Sequence, residues 1–298
     1  MIHRLPTGDS ALQEFEHFQN IAYIVTDLDG TVIQGNAPLQ KQIRQSIHSI
    51  QKRGTFFSVA TGRTYSGAKA LIDGLGIRKG MPIAFYNGGV VMEYGTNRVI
   101  DVDEISPDVL PQLFSLSDRF KINLLFYVFR QAPNTSSISE LVFGTGPIRN
   151  ASDVNQMEIT WLNSVTKLND KIISVLIDRS QLAGKKIEQV HTALAAIPSL
   201  ACKDSGSGFI EIKSARTDKG NVVNALRKMG KADSSKAKIL AVGDNDNDIE
   251  LFLASDISVV VSNASTGACR HADYICGYES GKGFLDLLNV IKNAQIYF

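Results

Sequence analysis

Asp27-Leu28-Asp29-Gly30-Thr31 follows directly on an apolar, β-rich run, Ile21-Ala22-Tyr23-Ile24-Val25-Thr26. A strand that ends on carboxylates at i and i+2 aims both side chains to the same side, and Gly30-Thr31 lets the backbone turn beneath whatever they bind. Such a pair is costly to ionise unless a hard cation such as Mg²⁺ offsets the repulsion, and one carboxylate is then free to act as a nucleophile toward a phosphoryl group. A loop Asp pair that caps the following helix is the alternative reading. Which of the two holds depends on what surrounds the pair.

The surroundings read as a β-α-β-α order. Leu39, Ile43, Ile47 and Ile50 share one face of a helix, with Lys41, Arg44, Lys52 and Arg53 elsewhere and Gly54 as its stop. A second strand, Thr55-Phe56-Phe57-Ser58-Val59-Ala60, a helix from about Tyr65 to Leu75 and a third buried strand, Pro82-Ile83-Ala84-Phe85-Tyr86, follow. This is the start of a doubly wound, mostly parallel sheet. From Val90 to about Ile212 the pattern changes to short strands (Val90 to Met92, Arg98 to Val102, Ile122 to Val128, Lys171 to Ile177) and helices near Pro107 to Phe120 and Leu182 to Leu194. Residues 131 to 150 are polar and rich in Ser, Asn, Pro and Gly, which predicts an irregular loop.

The alternation returns with a helix Asp218 to Met229, a strand Lys238 to Val242, a helix Asn247 to Ala254 and a strand Ile257 to Val261. Tyr274-Ile275-Cys276 reads as one more strand, and the last helix carries Phe284, Leu287, Leu288 and Ile291 on one face. The predicted fold class is therefore α/β: a Rossmann-like core with a mostly parallel sheet, split by an inserted α+β domain. The core comprises residues 1-88 and 213-298, with residues 1-20 as an N-terminal extension, and the insert comprises residues 89-212. Ser10-Ala11-Leu12-Gln13 resembles a capping box, and Leu12, Phe15 and Phe18 make an apolar stripe, which predicts a helix over residues 10 to 19.

Composition narrows the partners. The 298 residues carry a formal net charge of +1 and no basic block, so neither nucleic acid nor an anionic membrane surface is expected. No run reaches the length of a transmembrane helix, and the amino terminus lacks a basic region followed by an apolar stretch, so the expected location is the cytoplasm. Cys202, Cys269 and Cys276 are odd in number and without C-x-x-C spacing, which argues against a disulfide framework or zinc cluster and reads as small core residues. Gly74, Gly76 and Gly80 lack the spacing and preceding strand of a dinucleotide fingerprint.

Three further clusters fall at predicted core-strand ends, where open α/β sheets bind ligands. In Ala60-Thr61-Gly62-Arg63 a hydroxyl and backbone N–H groups at a helix start can hold phosphate oxygens, or the Thr-Gly turn simply caps the helix. Gly243-Asp244-Asn245-Asp246-Asn247-Asp248 alternates three carboxylates, as a hard-cation site does. A calcium EF-hand fails on position: with Asp244 first, Ile249 occupies the glycine position and Ser255 the bidentate-glutamate position. Asp246 also suits a helix N-terminus. In Asp218-Lys219-Gly220 a lysine opposes the helix dipole, and closing over a dianionic phosphate is a reason for it to be there.

In this order the four clusters resemble the haloacid dehalogenase superfamily, and more narrowly its Cof-like hydrolases with a type IIB cap, from about Ile21 to the carboxyl end. The first motif is Asp27 to Thr31, the second Thr61-Gly62-Arg63, the third Lys219-Gly220, and the fourth Gly243 to Asp248. The resemblance implies that Asp27 attacks phosphorus to form an aspartyl-phosphate, and that Asp29 protonates the leaving oxygen and later activates water. It implies Mg²⁺ held by Asp27, the backbone carbonyl of Asp29, and Asp244, with Asp248 as another ligand or an orienter. Thr61, Gly62 and Lys219 would hold the transferring phosphoryl group. Asn247 would support that shell, and Asn87 and Arg63 are candidate substrate contacts, with hinge stabilisation as the other role for Asn87.

Ser214, Ala215 and Arg216 stand where relatives usually place proline and glycine, and Ile249-Glu250-Leu251-Phe252 follows the fourth motif where relatives often carry methionine. Arg216 reads either as a solvated arginine or as one facing an anionic substrate. His3, His17, His48, His191 and His271 do not cluster in sequence, and Trp161 reads as a partly buried residue of the insert or a stacking surface for substrate. The expected activity is Mg²⁺-dependent hydrolysis of a small phosphorylated metabolite, a sugar phosphate. The rivals are a phosphosugar mutase of similar architecture and a non-catalytic metabolite-binding module.

Overall fold

The computed structural model describes residues 2–6, 16–35, 37–132, 135, 137–147, 157–162, 170–204, 208–230 and 237–297. The chain forms two compact units, Met1–Arg63, Ala68–Ile100 and Asp218–Phe298 in one, and Thr64–Gly67 and Asp101–Thr217 in the other. Most of the predicted 10–19 helix lies outside the described residues. Its described end is a 3-10 turn, Glu16–Phe18, whose Phe18 ring is buried 5.0 Å from that of Tyr274.

The first sheet is built from strands β1 (His3–Arg4), β2 (Ile21–Thr26), β3 (Phe56–Ala60), β4 (Pro82–Phe85), β5 (Val90–Glu93) and β6 (Val99–Val102). Three later strands complete it. Taking the intervening strands of the second sheet as β7 to β12, these are β13 (Lys238–Gly243), β14 (Ile257–Val260) and β15 (Tyr274–Ile275). Among the described residues the order is β1-β15-β14-β13-β2-β3-β4-β5-β6. Among the described residues, the neighbours from β1 through to β4 in that order pair in parallel, and β5 runs antiparallel to β4. Such a sheet is covered on both faces, which is why β2 reads as a near-continuous apolar run with Tyr23, Ile24 and Val25 fully buried. The helix α1 (Lys41–Gln51) covers it with Ile43, Ile47 and Ile50, at i, i+4 and i+7.

The chain leaves β2 toward β3 on one side and returns through β13 on the other, so a topological switch point opens at the carboxyl ends of these strands. Register decides what meets there. Thr26 pairs with Val242 on one side and Val59 on the other, so the residues just beyond the three strand ends lie in one row.

The second unit is a mostly antiparallel sheet of β7 (Leu124–Gln131), β8 (Ile138–Gly144), β9 (Ile159–Trp161), β10 (Ile172–Asp178), β11 (Leu200–Asp204) and β12 (Phe209–Ser214), in the order β11-β12-β10-β7-β8-β9. Counting α2 (Tyr65–Leu75) before them, the helices α3 (Leu110–Phe120) and α4 (Lys186–Ala195) pack on this sheet. Their core includes Leu113, Leu116, Val190 and Leu194 against Phe126, Val175 and Ile212, with Phe114 stacked on Phe126 at 5.2 Å. α5 (Asn221–Lys228), α6 (Ile249–Ala254), α7 (Thr266–His271) and α8 (Ser280–Tyr297) belong to the first unit.

Three sequence expectations need correction. Val90–Glu93 and Val99–Val102 extend the first sheet rather than the insert, so the division between the units falls after Ile100 instead of residue 88, and on the return after Thr217 instead of residue 212. A tight turn at Tyr86–Gly88 folds β5 back onto β4, a local pairing that apolar composition alone does not separate from a new sheet. Residues 131 to 150 are not one irregular loop: β8 lies within them and pairs with β7 from Leu125↔Gly144 to Gln131↔Ile138. Its exposed Ser139 and half-exposed Glu140 masked the strand signal. α7 was not anticipated; Ser265 starts it by accepting from the Ala268 N–H at 3.0 Å.

At the β4–β5 turn, Tyr86, Asn87 and Gly88 all have positive φ (52°, 54° and 96°). A Cβ on Gly88 would lie 1.7 Å from the Asp218 carbonyl oxygen. Gly88→Ala should therefore cost about 2–4 kcal/mol, from backbone strain and the displaced Asp218 loop. Urea unfolding measures this, and a loss below about 0.5 kcal/mol would contradict the packing described.

Candidate active site

Asp27 follows β2, Asp244 follows β13 and Thr61 follows β3, so the aligned strand ends place three of the predicted motifs side by side. The Asp27 N–H donates to the Val242 carbonyl at 2.9 Å, which carries the ladder one residue past β2. The fourth motif arrives through a reciprocal cap. The Asn245 side chain accepts from Asp246 N–H at 2.8 Å, while Asp248 Oδ2 accepts from the Asp244 and Asn245 N–H groups at 2.9 and 3.0 Å. Asp248, fully buried, thereby fixes the backbone that presents Asp244.

Lys219 ties these pieces together. Its ammonium, 1% exposed, donates to Asp27 Oδ1 and Asp248 Oδ1, both at 2.6 Å. Burial alone disfavours its charge, but the adjacent Asp248 and Asp27 carboxylates outweigh that and hold Lys219 above its ordinary value. Burial pushes the Asp27 carboxyl up to about 8, against the pull of Lys219 and with the repulsion of Asp248 and Asp244 added. Asp244 is pushed up to about 6, again by burial first and Asp248 second, while the Thr31 hydroxyl, which donates to its Oδ1 at 2.9 Å, works the other way.

One carboxylate oxygen from each of Asp27, Asp244 and Asp248 lies within 4.8 Å of the others. Lys219 already satisfies Asp27 Oδ1, and among the described residues no hydrogen bond reaches Asp27 Oδ2 or Asp244 Oδ2. A Cβ on Gly30 would lie 2.2 Å from Asp244 Oδ2, so only glycine leaves that oxygen its place. An all-oxygen, anionic donor set with one lysine to oppose it fits a hard divalent cation. The oxygens of Asp248 already take Lys219 and two backbone N–H groups.

Asp29 is placed differently. Its carboxylate stands outside the acidic cluster and accepts both fork donors of Arg63, Nε to Oδ2 at 2.7 Å and Nη2 to Oδ1 at 2.5 Å. That hydrogen bond holds the Arg63 guanidinium above its ordinary value. Thr61 is buried, and its Oγ1 accepts from the Arg63 N–H at 3.1 Å, which leaves the hydroxyl hydrogen available to a ligand. Gly62 lies under the Asn87 side chain, where a Cβ would be 3.1 Å from Asn87 Oδ1. Asn247 Nδ2 donates to that same oxygen at 3.1 Å, and its own buried Oδ1 has no partner among the described residues.

Sequence reasoning missed the loop that braces this cluster. Asn263 donates to the Gly30 carbonyl at 3.0 Å and accepts from the Ser280 N–H at 2.8 Å, while the Ser265 N–H donates to the Asp244 carbonyl at 2.8 Å. The Ser265 hydroxyl donates to exposed Asp246, away from the triad. The available signal was Ser265 three residues before Ala268, an N-cap spacing. Arg216 bonds Asp103 at 3.2 Å within the second unit. Trp161 is half-exposed, its ring over Gly144, and His191 and His271 contact Cys202 and the Gly267 carbonyl respectively, outside the acidic cluster.

Comparison with known proteins places this geometry in context. Residues 24–288 match the family described as haloacid dehalogenase-like hydrolase. A Bacillus subtilis (strain 168) protein named 5-amino-6-(5-phospho-D-ribitylamino)uracil phosphatase YwtE is 24% identical over 289 residues, 91% of this chain and 98% of that protein. A phosphoglycolate phosphatase of Methanopyrus kandleri is 23% identical over 265 residues, 89% of this chain and 94% of that protein. The crystal structure of a haloacid dehalogenase-like hydrolase from Bacteroides thetaiotaomicron superposes with a TM-score of 0.72 at 20% identity, covering 92% of this chain and 99% of that one.

A carboxyl raised by burial costs stability as pH climbs from the ordinary carboxylate range through its folded value, because the folded state then has to lose a proton it holds tightly. For Asp244 and Asp27 that window runs up through about 6 and about 8. A bound divalent cation opposes that loss. Mg²⁺ should therefore raise the melting temperature more at about pH 8.5 than at about pH 5.5. A shift that does not depend on pH in thermal denaturation would contradict the cluster as the cation's site.

Proposed function

Because the chain belongs to the haloacid dehalogenase-like hydrolases, we propose that it is a Mg²⁺-dependent phosphatase of a small phosphorylated metabolite, a sugar phosphate, acting through an aspartyl-phosphate on Asp27. The observation that carries the reading is the convergence of Asp27, Asp244 and Asp248 with Lys219 in one buried cluster at neighbouring strand ends. Two of the named relatives are phosphatases of different compounds, which supports phosphoester hydrolysis without selecting a substrate.

Phosphoryl transfer needs in-line positioning and charge neutralisation more than elaborate covalent chemistry. Asp27, Asp244 and the Asp29 backbone carbonyl, with Asp248 as another ligand or an orienter, would hold Mg²⁺, which would supply charge neutralisation when bound. Lys219 holds Asp27 Oδ1 and pulls that carboxyl toward its ionised, nucleophilic form. Thr61 and the backbone N–H groups around Gly62 hold the equatorial oxygens, with Asn247 and Asn87 beside them. Asp27 attacks phosphorus while Asp29 gives a proton to the leaving oxygen. Asp29 then takes a proton from water as that water attacks the aspartyl-phosphate, and inorganic phosphate leaves.

Asp27→Asn should abolish phosphate release from a panel of phosphorylated sugars, nucleotides and cofactors while the protein keeps its melting transition; full activity in that variant would remove Asp27 as nucleophile. Isomerised phosphosugar in place of free phosphate would point to the mutase instead. Asp29→Asn should slow alkyl phosphates far more than aryl phosphates, whose leaving groups need less protonation, and equal losses would argue against the acid role. Lys219→Met should lower kcat by about a hundredfold or more. It should also destabilise the fold by about 3–5 kcal/mol, since two buried carboxylates lose their counter-charge.

A further inference from the structure

We propose that Arg63 is a specificity-determining residue: its guanidinium passes from Asp29 to a carboxylate on the substrate, so the preferred substrates are phosphomonoesters of carboxylic acids, such as phosphorylated sugar acids. This rests on the reading of Asp29 as the residue that serves the leaving oxygen.

Asp29 is the one member of the first motif whose carboxylate is engaged on both oxygens by a single side chain, the Arg63 fork at 2.7 and 2.5 Å. While that fork is closed, neither oxygen is free to face a leaving group. The pair is also unlike the Lys219 clamp in accessibility: the Lys219 and Asp248 side chains are 1% and 0% exposed, whereas those of Arg63 and Asp29 are 28% and 47% exposed. Exposed pairs are weakly held and exchange readily, and a buried one does not.

The backbone of Arg63 is fixed while its side chain is partly exposed. Its N–H is bound to Thr61 Oγ1 at 3.1 Å and its carbonyl accepts from the Tyr86 N–H at 3.0 Å, so the guanidinium is anchored on the turn assigned to phosphate binding. Thr61 and Lys219 serve the transferring phosphoryl, and Arg63 grips the residue assigned to the leaving oxygen. The anion Arg63 can take therefore lies in the leaving-group portion of the substrate.

The ligand it already holds defines the chemistry. A guanidinium fork matches a carboxylate with two parallel N–H···O bonds, and a substrate carboxylate offers the same geometry as Asp29. A substrate with that group takes the place of Asp29 on the fork and so releases Asp29. A neutral substrate has to separate the ion pair with nothing in exchange.

The test uses matched pairs that differ only in the carboxylate: gluconate 6-phosphate against glucitol 6-phosphate, and 2-phosphoglycolate against 2-hydroxyethyl phosphate. Phosphate release with Mg²⁺ gives kcat/KM for the wild type, Arg63→Lys and Arg63→Met, with p-nitrophenyl phosphate as a general substrate. The expected result is a wild-type preference for the acid of about tenfold or more in each pair, collapsing toward unity in Arg63→Met and only partly kept in Arg63→Lys. Because the readout is a ratio within each variant, a general loss of folded protein does not mimic it. Equal turnover of acid and alcohol by the wild type, or a preference that survives Arg63→Met, overturns the exchange while leaving the phosphatase reading intact. No phosphate from any compound, p-nitrophenyl phosphate included, overturns the phosphatase reading and the exchange with it.

Discussion

One ammonium between two carboxylates holds this site in shape. Lys219 sits 2.6 Å from both Asp27 and Asp248, and none of the three groups has appreciable contact with solvent. Buried carboxylates this close repel one another strongly and are expensive to desolvate, and the lysine offsets part of both terms. Because Asp248 also takes the Asp244 and Asn245 N–H groups, the same clamp reaches the backbone of the fourth motif. Asp27, Lys219, Asp248 and the turn that presents Asp244 are thus one electrostatic unit, and its three carboxylates lie close enough to hold a cation.

The sheet makes that unit possible. Parallel strands all end on the same edge, and a register that aligns Val242, Thr26 and Val59 puts Asp244, Asp27 and Thr61 within reach although they are far apart in sequence. The loops beyond the edge then brace one another. Gly88 admits the Asp218 carbonyl, Gly30 admits the Asp244 carboxylate, and Asn263 ties the Gly30 carbonyl to the start of α8. Each contact requires close backbone approach, so the glycines there are constraints of shape.

Two arginines show where charge and placement part company. Both Arg63 and Arg216 could be read as substrate-facing from their positions next to motifs. Arg63 is bound to the Asp29 carboxylate in the site, whereas Arg216 bonds Asp103 in the other unit. The difference follows from local packing, since long flexible cations reach whichever carboxylate the fold brings near.

What the sequence determined by itself was whatever is periodic or contiguous. The buried parallel strands read as apolar runs, α1 by its i, i+4, i+7 stripe, and the acidic and glycine-rich motifs by their position after those strands. Such signals are local, because backbone geometry repeats every two or 3.6 residues. β8 escaped because its polar residues resemble a loop, and β5 and β6 because a hairpin joins whichever edge its turn aims it toward. The motifs' resemblance already implied that Asp27, Asp244, Asp248 and Lys219 share a site, but the hydrogen bonds that join them, the ion pair on Asp29 and the bracing by Asn263 and Ser265 were decided only by tertiary structure. They depend on strand register and on interactions that fall off within a few ångströms, and no spacing along the chain encodes such distances.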